Sequence, residues 1–187
     1  MKRSFNITII DFQKHYKSKT IMIKDLIISN RVTVFNGKNG AGKSTLLKAI
    51  VKLISYQGKI VSSYSFSYMP EHPIFPLDIT VEEFLKNLCH ESENDYDYNE
   101  FLSQYSLKHK IDCKISTLSK GMKTKLNLIQ CLSQKVDVYV LDEPLSGLDD
   151  DAIQILIEYI RTSNRNFVIS SHNVDAFHKL EKEIIYL

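Results

Sequence analysis

Hydrophobic residues recur along this chain in short runs, some alternating with polar residues and some almost continuous. Runs of this length, rich in β-branched and aromatic residues and bounded by turn-forming residues, predict strands. The predicted strands cover residues 5–10, 21–28, 32–35, 59–61, 66–69, 138–141, 167–170 and 184–187. Apolar residues at helical spacing predict helices at residues 45–51, 81–89, 98–105 and 120–133.

The order of these elements predicts the fold class. The early strands alternate and follow one another without helices, which indicates an antiparallel layer. The runs at 136–141 and 166–170 are almost continuously apolar, as in parallel strands that are buried on both faces. We therefore expect a single α/β domain over residues 1–187, with a mostly parallel sheet, an N-terminal antiparallel β layer and a helical subdomain inserted at about residues 80–133.

A glycine-rich segment lies between the predicted strand at 32–35 and the predicted helix at 45–51. It has the two glycines, the lysine and the hydroxyl of a phosphate-binding loop, in the strand–loop–helix setting that this pattern requires. We expect a nucleoside triphosphate to be bound by Gly37, Asn39, Gly40, Ala41, Gly42, Lys43, Ser44 and Thr45. A turn that merely joins a strand to a helix would not need the full spacing.

The residue types of this loop suit phosphate chemistry. Glycines let the chain curl so that several backbone N–H groups point at one phosphate, and the following helix adds the positive end of its dipole. Lys43 supplies a compact charge for the outer phosphates, and the Ser44 hydroxyl is a ligand for Mg²⁺. The sheet and the loop together predict a P-loop NTPase core that uses a triphosphate and Mg²⁺.

Two carboxylates follow the apolar strand at 138–141. Asp142 and Glu143 stand at the carboxyl end of this strand, where a parallel sheet presents its ligands. Asp142 would hold Mg²⁺, and Glu143 would polarise a water molecule for attack on the γ-phosphate. An ordinary solvated strand end can have the same sequence, so it is the phosphate loop upstream that favours the catalytic interpretation.

A further segment stands at the start of the predicted helix at 120–133. Ser119 is at the N-cap position, and by itself it predicts only a well-capped amphipathic helix. Its place between the phosphate loop and the acidic strand changes this interpretation, because the segment resembles the Leu-Ser-Gly-Gly-Gln type signature of the ATP-binding domain of ABC transporters. The matching residues are Ser119, Lys120, Gly121 and Met122.

The resemblance to ABC transporter ATP-binding domains covers nearly the whole chain. Residues 145–149 resemble the loop that the family names for its aspartate, and His172 resembles the switch histidine at a strand end. Tyr16 stands in the segment whose aromatic side chain stacks on adenine, with Phe12 as the second candidate. These motifs follow in the family's order, and their conjunction is far more specific than any of them alone.

The chain departs from the family pattern at several positions. Glu71 stands where most members have glutamine; a carboxylate there can approach Mg²⁺ together with Ser44 and Asp142, but it adds negative charge beside the phosphates. Lys120 and Met122 replace a glycine and the glutamine of the signature. Because the sequence continues only briefly after the switch histidine, we do not expect the regulatory domain of some importers. These features resemble ATPases of drug, antibiotic and peptide export systems, so an exporter component is expected.

The resemblance implies a mechanism. In this family two nucleotide-binding domains pack head to tail, and each ATP lies between the phosphate loop of one and the signature helix of the other. The implied cofactors are ATP and Mg²⁺, and the implied partners are a second ABC ATPase domain, expected to form a homodimer, and a transmembrane permease. Glu143 would orient the attacking water, His172 would contact the γ-phosphate, and closure of the dimer would power the permease.

Composition narrows the partners and the location. Lysines and arginines number 24 against 22 acidic residues, a net charge of +2, so no strong field favours direct binding of nucleic acid. Cys89, Cys113 and Cys131 form no CxxC pair, which fits free thiols in a reducing compartment. No apolar run approaches the roughly 20 residues that cross a bilayer. We expect a cytoplasmic protein without a membrane span of its own, held at the inner face of the membrane by its permease.

Two other classes of phosphate-loop protein explain the sequence less well. A soluble ABC-type ATPase that acts on ribosomes or DNA usually has paired nucleotide domains or long coiled-coil insertions, and neither is evident in the sequence. A different phosphate-loop enzyme, such as a kinase or a GTPase, would leave the signature segment and the switch histidine unexplained. The transporter ATPase is therefore the favoured interpretation.

Overall fold

The computed structural model describes residues 5–91 and 98–187, except for the side chains of residues 89–91. The described residues form eight strands and five α-helices. The strands are β1 (Ile7–Tyr16), β2 (Lys19–Ile28), β3 (Val32–Asn36), β4 (Gln57–Val61), β5 (Phe66–Met69), β6 (Val138–Asp142), β7 (Asn166–Ser170) and β8 (Glu183–Tyr186). The helices are α1 (Lys43–Ile50), α2 (Val81–Glu91), α3 (Asn99–Gln104), α4 (Lys120–Leu132) and α5 (Asp150–Thr162).

The first layer is an antiparallel sheet of three strands in the order β2-β1-β4, which confirms the predicted N-terminal layer. Strand β1 continues to Tyr16, well past the predicted end at residue 10. Its pairing with β4 shifts register between Ile10 and Gln13, and Asp11 between them has a φ of 47°. This bulge interrupts the alternation of apolar and polar residues, so the pattern in the sequence ends at residue 10 although the strand continues.

The second layer is a parallel sheet of five strands in the order β5-β6-β7-β3-β8. Both faces of β6 are buried: Val138 and Val140 belong to the apolar cluster that contains α1 and the antiparallel layer, whereas Tyr139 and Leu141 belong to the cluster that contains α4 and α5. Burial on two faces explains the continuous apolar run. The carboxyl ends of β3, β6 and β7 meet at one edge, and the predicted α/β fold class is confirmed.

Helices occupy the chain between β5 and β6, as the spacing predicts. Val81 and Leu85 of α2, Leu102 of α3 and Leu126 of α4 all belong to the apolar cluster on the α5 side of the parallel sheet. The division of residues 1–187 into one domain with a helical subdomain at about 80–133 stays a prediction. Within the ranges the structure describes, no helix has both the length and the apolar character needed to cross a membrane.

Candidate functional site: a phosphate loop beside two carboxylates

The glycine-rich loop connects β3 to α1. At Gly42 its backbone conformation favours glycine over any other residue. Gly42, the N-cap of α1, has a φ of 110°, and a Cβ atom there would lie 2.7 Å from Cγ2 of Ile21. The next residue, Lys43, is 6% exposed, and its ammonium donates to the carbonyl of Gly37 across 2.7 Å. The loop is thus curled around the lysine, as a phosphate cradle requires.

Asp142 lies at the end of β6 and is 2% exposed, with three donors around its carboxylate. Its Oδ1 accepts hydrogen bonds from the hydroxyls of Ser44 at 2.9 Å and Ser170 at 2.5 Å. Its Oδ2 accepts a hydrogen bond from the hydroxyl of Tyr68 at 3.2 Å. A buried carboxylate of this kind is fixed in one orientation by its hydrogen bonds, and its Oδ1 faces the first turn of α1.

Glu143 follows in an unusual backbone conformation, with a φ of 47°. Its N–H donates to the Ser170 hydroxyl at 2.9 Å, which fixes this conformation. Its Oε2 contacts Nδ1 of His172 at 2.8 Å, and its Oε1 lies 3.5 Å from the ammonium of Lys43. Oε1 is buried and has no hydrogen-bond partner in the described chain. The carboxylate therefore presents a buried acceptor beside the phosphate loop.

These groups surround a cavity of about 620 Å³. Its lining residues are Tyr16, Ser18, Lys19, Ile21, Asn39, Gly40, Ala41, Gly42, Lys43, Ser44, Thr45, Glu71 and Glu143. The structure therefore brings most of the predicted nucleotide-site residues together on one cavity. Asp142 is buried beneath Ser44, and His172 is an exposed neighbour of Glu143 outside the lining.

The two aromatic candidates differ in position. Tyr16 is 47% exposed, lines the cavity, and lies with its hydroxyl 3.1 Å from that of Thr45. Phe12 is fully buried and packs against Tyr56, with ring centroids 5.4 Å apart. The ring of Phe12 therefore does not reach the cavity. The stacking of an adenine on Tyr16 stays a prediction.

Glu71 lines the cavity at its rim rather than joining the buried cluster around Asp142. Its carboxylate lies 3.8 Å from Nε2 of the exposed His72. Ser44 and Asp142 are by contrast in direct contact. The role of Glu71 as a metal ligand stays a prediction.

The signature residues lie elsewhere and do not line the cavity. Ser119 caps α4, since its hydroxyl accepts the N–H of Met122 at 3.2 Å, and the adjacent Lys120 is exposed. Gly121 packs closely on the loop between β6 and α5, because a Cβ atom at Gly121 would lie 3.3 Å from the carbonyl oxygen of Gly147. The predicted N-cap is confirmed, and the start of α4 is turned toward the surface.

The donor set beside the phosphate loop fits Mg²⁺. Ser44 and Asp142 offer two hard oxygens in contact, and Mg²⁺ in triphosphate sites usually takes its other ligands from phosphates and water. No group of three or more His, Cys, Asp or Glu residues able to hold a metal occurs in the described part of the chain. Ser44 and Asp142 thus fit a metal ion that binds together with the nucleotide, with phosphate and water oxygens as its other ligands.

Sequence reasoning assigned no role to three residues of this site. Ser170 bonds both carboxylate residues from the neighbouring strand, and Tyr68 bonds Asp142 from the strand on the other side. Burial, together with the charge of Asp142, raises the pKa of Tyr68, so its hydroxyl remains a donor. Lys19 lines the cavity and bonds the carbonyl of Gly40. Tyr68 and Ser170 do stand within segments that carry motifs, which was the available signal.

Comparison with known proteins supplies the family. The profile of the ABC transporter family matches residues 26–146, which include the phosphate loop, the signature segment and both carboxylates. This chain belongs to the ABC transporter family. An ATP-binding subunit of this family hydrolyses ATP in a reaction coupled to transport, and it works as a dimer with a membrane permease.

Individual relatives agree on the family and differ in the direction of transport. An uncharacterised ABC transporter ATP-binding protein, YthP of Bacillus subtilis, is 32% identical over 94% of this chain and 83% of its own. The cytochrome c biogenesis ATP-binding export protein CcmA of Reclinomonas americana is 37% identical over 65% of this chain and 62% of its own. The zinc import ATP-binding protein ZnuC of Wigglesworthia glossinidia brevipalpis is 31% identical over 92% of this chain and 78% of its own.

A solved structure of the ATP-binding subunit of an ABC transporter superimposes with a TM-score of 0.85 at 25% identity. The superposition covers 98% of this chain and 86% of that one. The predicted family is thus confirmed by sequence and by fold, whereas export is not distinguished from import.

Proposed function

We propose that this ABC ATP-binding subunit binds ATP with Mg²⁺ and powers an export-type permease by closing head to tail on a second copy of itself. The observation that carries the proposal is the meeting of Lys43, Ser44 and Glu143 on one cavity, while Ser119 at the start of α4 stays outside it. A site that binds the nucleotide but lacks the signature contacts is complete only when a second domain supplies them.

The positive charge of Lys43 in the cavity attracts the phosphates of the nucleotide. In the structure Lys43 has a carboxylate neighbour, Glu143, at 3.5 Å. A bound triphosphate brings stronger anionic partners, so the ammonium turns to the phosphates, and the loop N–H groups and the dipole of α1 add to the attraction. Tyr16, which is half-exposed and lines the cavity, would stack on the adenine.

Hydrolysis then depends on Glu143. Among the described residues, its buried Oε1 has no hydrogen-bond donor. This oxygen would accept a proton from a water molecule whose oxygen attacks the γ-phosphorus, while the bond to the β–γ bridging oxygen breaks and ADP leaves with that oxygen. Nδ1 of His172 contacts the other carboxylate oxygen, and His172 would contact the γ-phosphate when nucleotide binds. Mg²⁺, with Ser44 and Asp142 as its protein ligands, would neutralise charge on the phosphates.

The second half of the site comes from the signature segment. At the start of α4, Ser119 and Lys120 are exposed, Gly121 and Met122 are half-buried, and the first turn has no acidic residue. Such a helix end attracts an anion, and the γ-phosphate bound to the partner subunit fills that role. ATP thus joins two subunits, and its cleavage releases them.

The direction of transport rests on narrower support. The departures at Glu71, Lys120 and Met122 resemble export ATPases, and CcmA is named as an export protein. ZnuC is named as an import protein, so the direction has to be measured. Copurification from membranes would identify the polytopic partner, and inside-out vesicles that contain it should accumulate cargo when ATP is added outside. Accumulation only in right-side-out vesicles loaded with ATP would make the complex an importer.

The mechanism is tested by Glu143→Gln, which keeps the shape of the side chain but removes the base. We expect ATP turnover to fall by about 100-fold or more, and an ATP-dependent dimer to persist in sedimentation, because the nucleotide that joins the subunits is no longer cleaved. Glu181→Gln, at an exposed position, serves as the control and should behave as wild type. A Glu143→Gln protein that stays monomeric with ATP and Mg²⁺, and shows no closed state with its permease, refutes the mechanism. Recovery with ribosomes rather than membranes would favour the non-transport alternative.

A further inference from the structure

The hairpin formed by β1 and β2 packs directly on the phosphate loop. Tyr16 contacts Thr45, and Lys19 donates from its ammonium to the carbonyl of Gly40. Two residues further along β2, Ile21 lies against Gly42. The antiparallel layer therefore forms one wall of the nucleotide cavity. Lys19 belongs to this wall and lies outside the phosphate-loop motif.

Charge distinguishes Lys19 from the other residues of this wall. The charged side chains that line the cavity are Lys19, Lys43, Glu71 and Glu143, so the described lining carries no net charge. Lys43 has Glu143 as a neighbour at 3.5 Å. Lys19 is exposed, and within the described ranges no carboxylate lies at ion-pair distance from it. Among the described residues, its ammonium is bonded only to the carbonyl of Gly40, a neutral group in the phosphate loop.

An ammonium in this position gains by exchanging partners when a nucleotide binds. A phosphate oxygen is a charged acceptor and makes a stronger hydrogen bond than a backbone carbonyl. The lysine side chain has a flexible four-carbon stem, so the exchange needs no movement of the strand. Lys19 and Lys43 balance Glu71 and Glu143 in the lining, so without Lys19 the lining would carry a net charge of −1 and would repel the triphosphate.

We propose that Lys19 is a second nucleotide-binding cation, which leaves the carbonyl of Gly40 and contacts the phosphate chain of the bound nucleotide. The inference rests on the ATP site proposed above and adds a residue that lies outside the phosphate loop. It assigns to the β1–β2 hairpin a part in gripping the phosphates, beside the part that Tyr16 would have with the adenine.

The test measures nucleotide binding to Lys19→Met and to Lys17→Met by calorimetry. Lys17 is an exposed residue of the same hairpin and does not line the cavity, so it controls for the loss of a surface charge. We expect Lys19→Met to weaken ATP and ADP binding roughly fivefold, with a smaller difference at high salt, and Lys17→Met to change it by less than about twofold. Lys19→Arg should retain most of the affinity. Thermal melting without nucleotide verifies that the variants are folded.

Three results separate the possible failures. An affinity of Lys19→Met equal to that of Lys17→Met overturns the inference and leaves the ATP site intact, provided that Lys43→Met still loses binding. An equal loss for ATP and for adenosine, measured by displacement of a fluorescent ATP analogue, also overturns it, since Lys19 would then only position the hairpin. If Lys43→Met binds ATP as wild type does, the proposed site itself is wrong.

Discussion

Ser170 allows a quantitative test of how the two carboxylates are held. Its hydroxyl is fully buried, donates to Oδ1 of Asp142 at 2.5 Å and accepts the N–H of Glu143 at 2.9 Å. Ser170→Ala removes both bonds, although the Glu143 N–H keeps the Ser170 carbonyl at 3.2 Å. A hydrogen bond to a charged group contributes about 1.5–3 kcal/mol, and the neutral bond is partly replaced, so we expect a loss of about 2–3 kcal/mol in the free energy of unfolding.

The assay is thermal unfolding without nucleotide, since a chain of this size loses about 2–4 °C per kcal/mol. Ser170→Ala should therefore melt about 4–12 °C below wild type. Ser171→Ala is the matched control: Ser171 is also buried, but within the described chain its hydroxyl bonds only the backbone of Asn173, at 3.1 and 3.2 Å. Neutral bonds of this kind predict a loss of about 1 kcal/mol. If Ser170→Ala melts no lower than Ser171→Ala, the bond to the buried carboxylate does not stabilise the fold as reasoned.

Two further predictions concern other parts of the molecule. Burial raises the pKa of the Cys131 thiol to about 12, so a thiol reagent at about pH 8 should label Cys131 only after unfolding. Peptide mapping separates it from the partly exposed Cys113, and rapid labelling of Cys131 itself in the native protein would contradict its burial. The hydrogen bond from Lys125 and the N–H of Ala152 hold the pKa of Asp149 below its ordinary value of 3.8. This stabilisation is present above that value and is lost as the pH falls through the depressed pKa, so Asp149→Asn should melt below wild type at about pH 7 and converge with it in acid. A constant difference across that range would refute the assignment.

The strands were predictable where the pattern of apolar residues in the sequence matches the burial of the strand. In β6 and β7 both faces are buried, so the apolar run in the sequence is as long as the strand to within a residue. The part of strand β1 beyond residue 10 was not predictable. The bulge at Asp11 arises from the pairing with β4, and it interrupts the alternation of apolar and polar residues from which a strand is predicted.

The site was predictable where its chemistry is local in the chain. The phosphate loop occupies consecutive residues, and Asp142 and Glu143 are adjacent, so spacing alone identifies them. Tyr68 and Ser170 reach Asp142 from 74 and 28 residues away, across neighbouring parallel strands. Sheet order decides which strand ends are adjacent, and a sequence without aligned relatives does not specify that order. Lys19 was missed for the same reason, since the β1–β2 hairpin meets the phosphate loop only in the folded chain.

The segment between Glu143 and α5 connects the two halves of the proposed site within one subunit. Glu143 contacts Lys43 at the cavity, and six residues later Asp149 bonds Lys125 of the signature helix at 2.7 Å. Between them Gly147 has a φ of 82° and lies against the first turn of α4. When the Lys43 ammonium turns from Glu143 to a phosphate, Glu143 loses this ion pair and keeps its contact with His172. Glu143 belongs to the same segment as Asp149, which bonds the signature helix. We therefore expect nucleotide binding at one cavity to alter the helix start that the same subunit presents to its partner, which would couple the two ATP sites of a dimer.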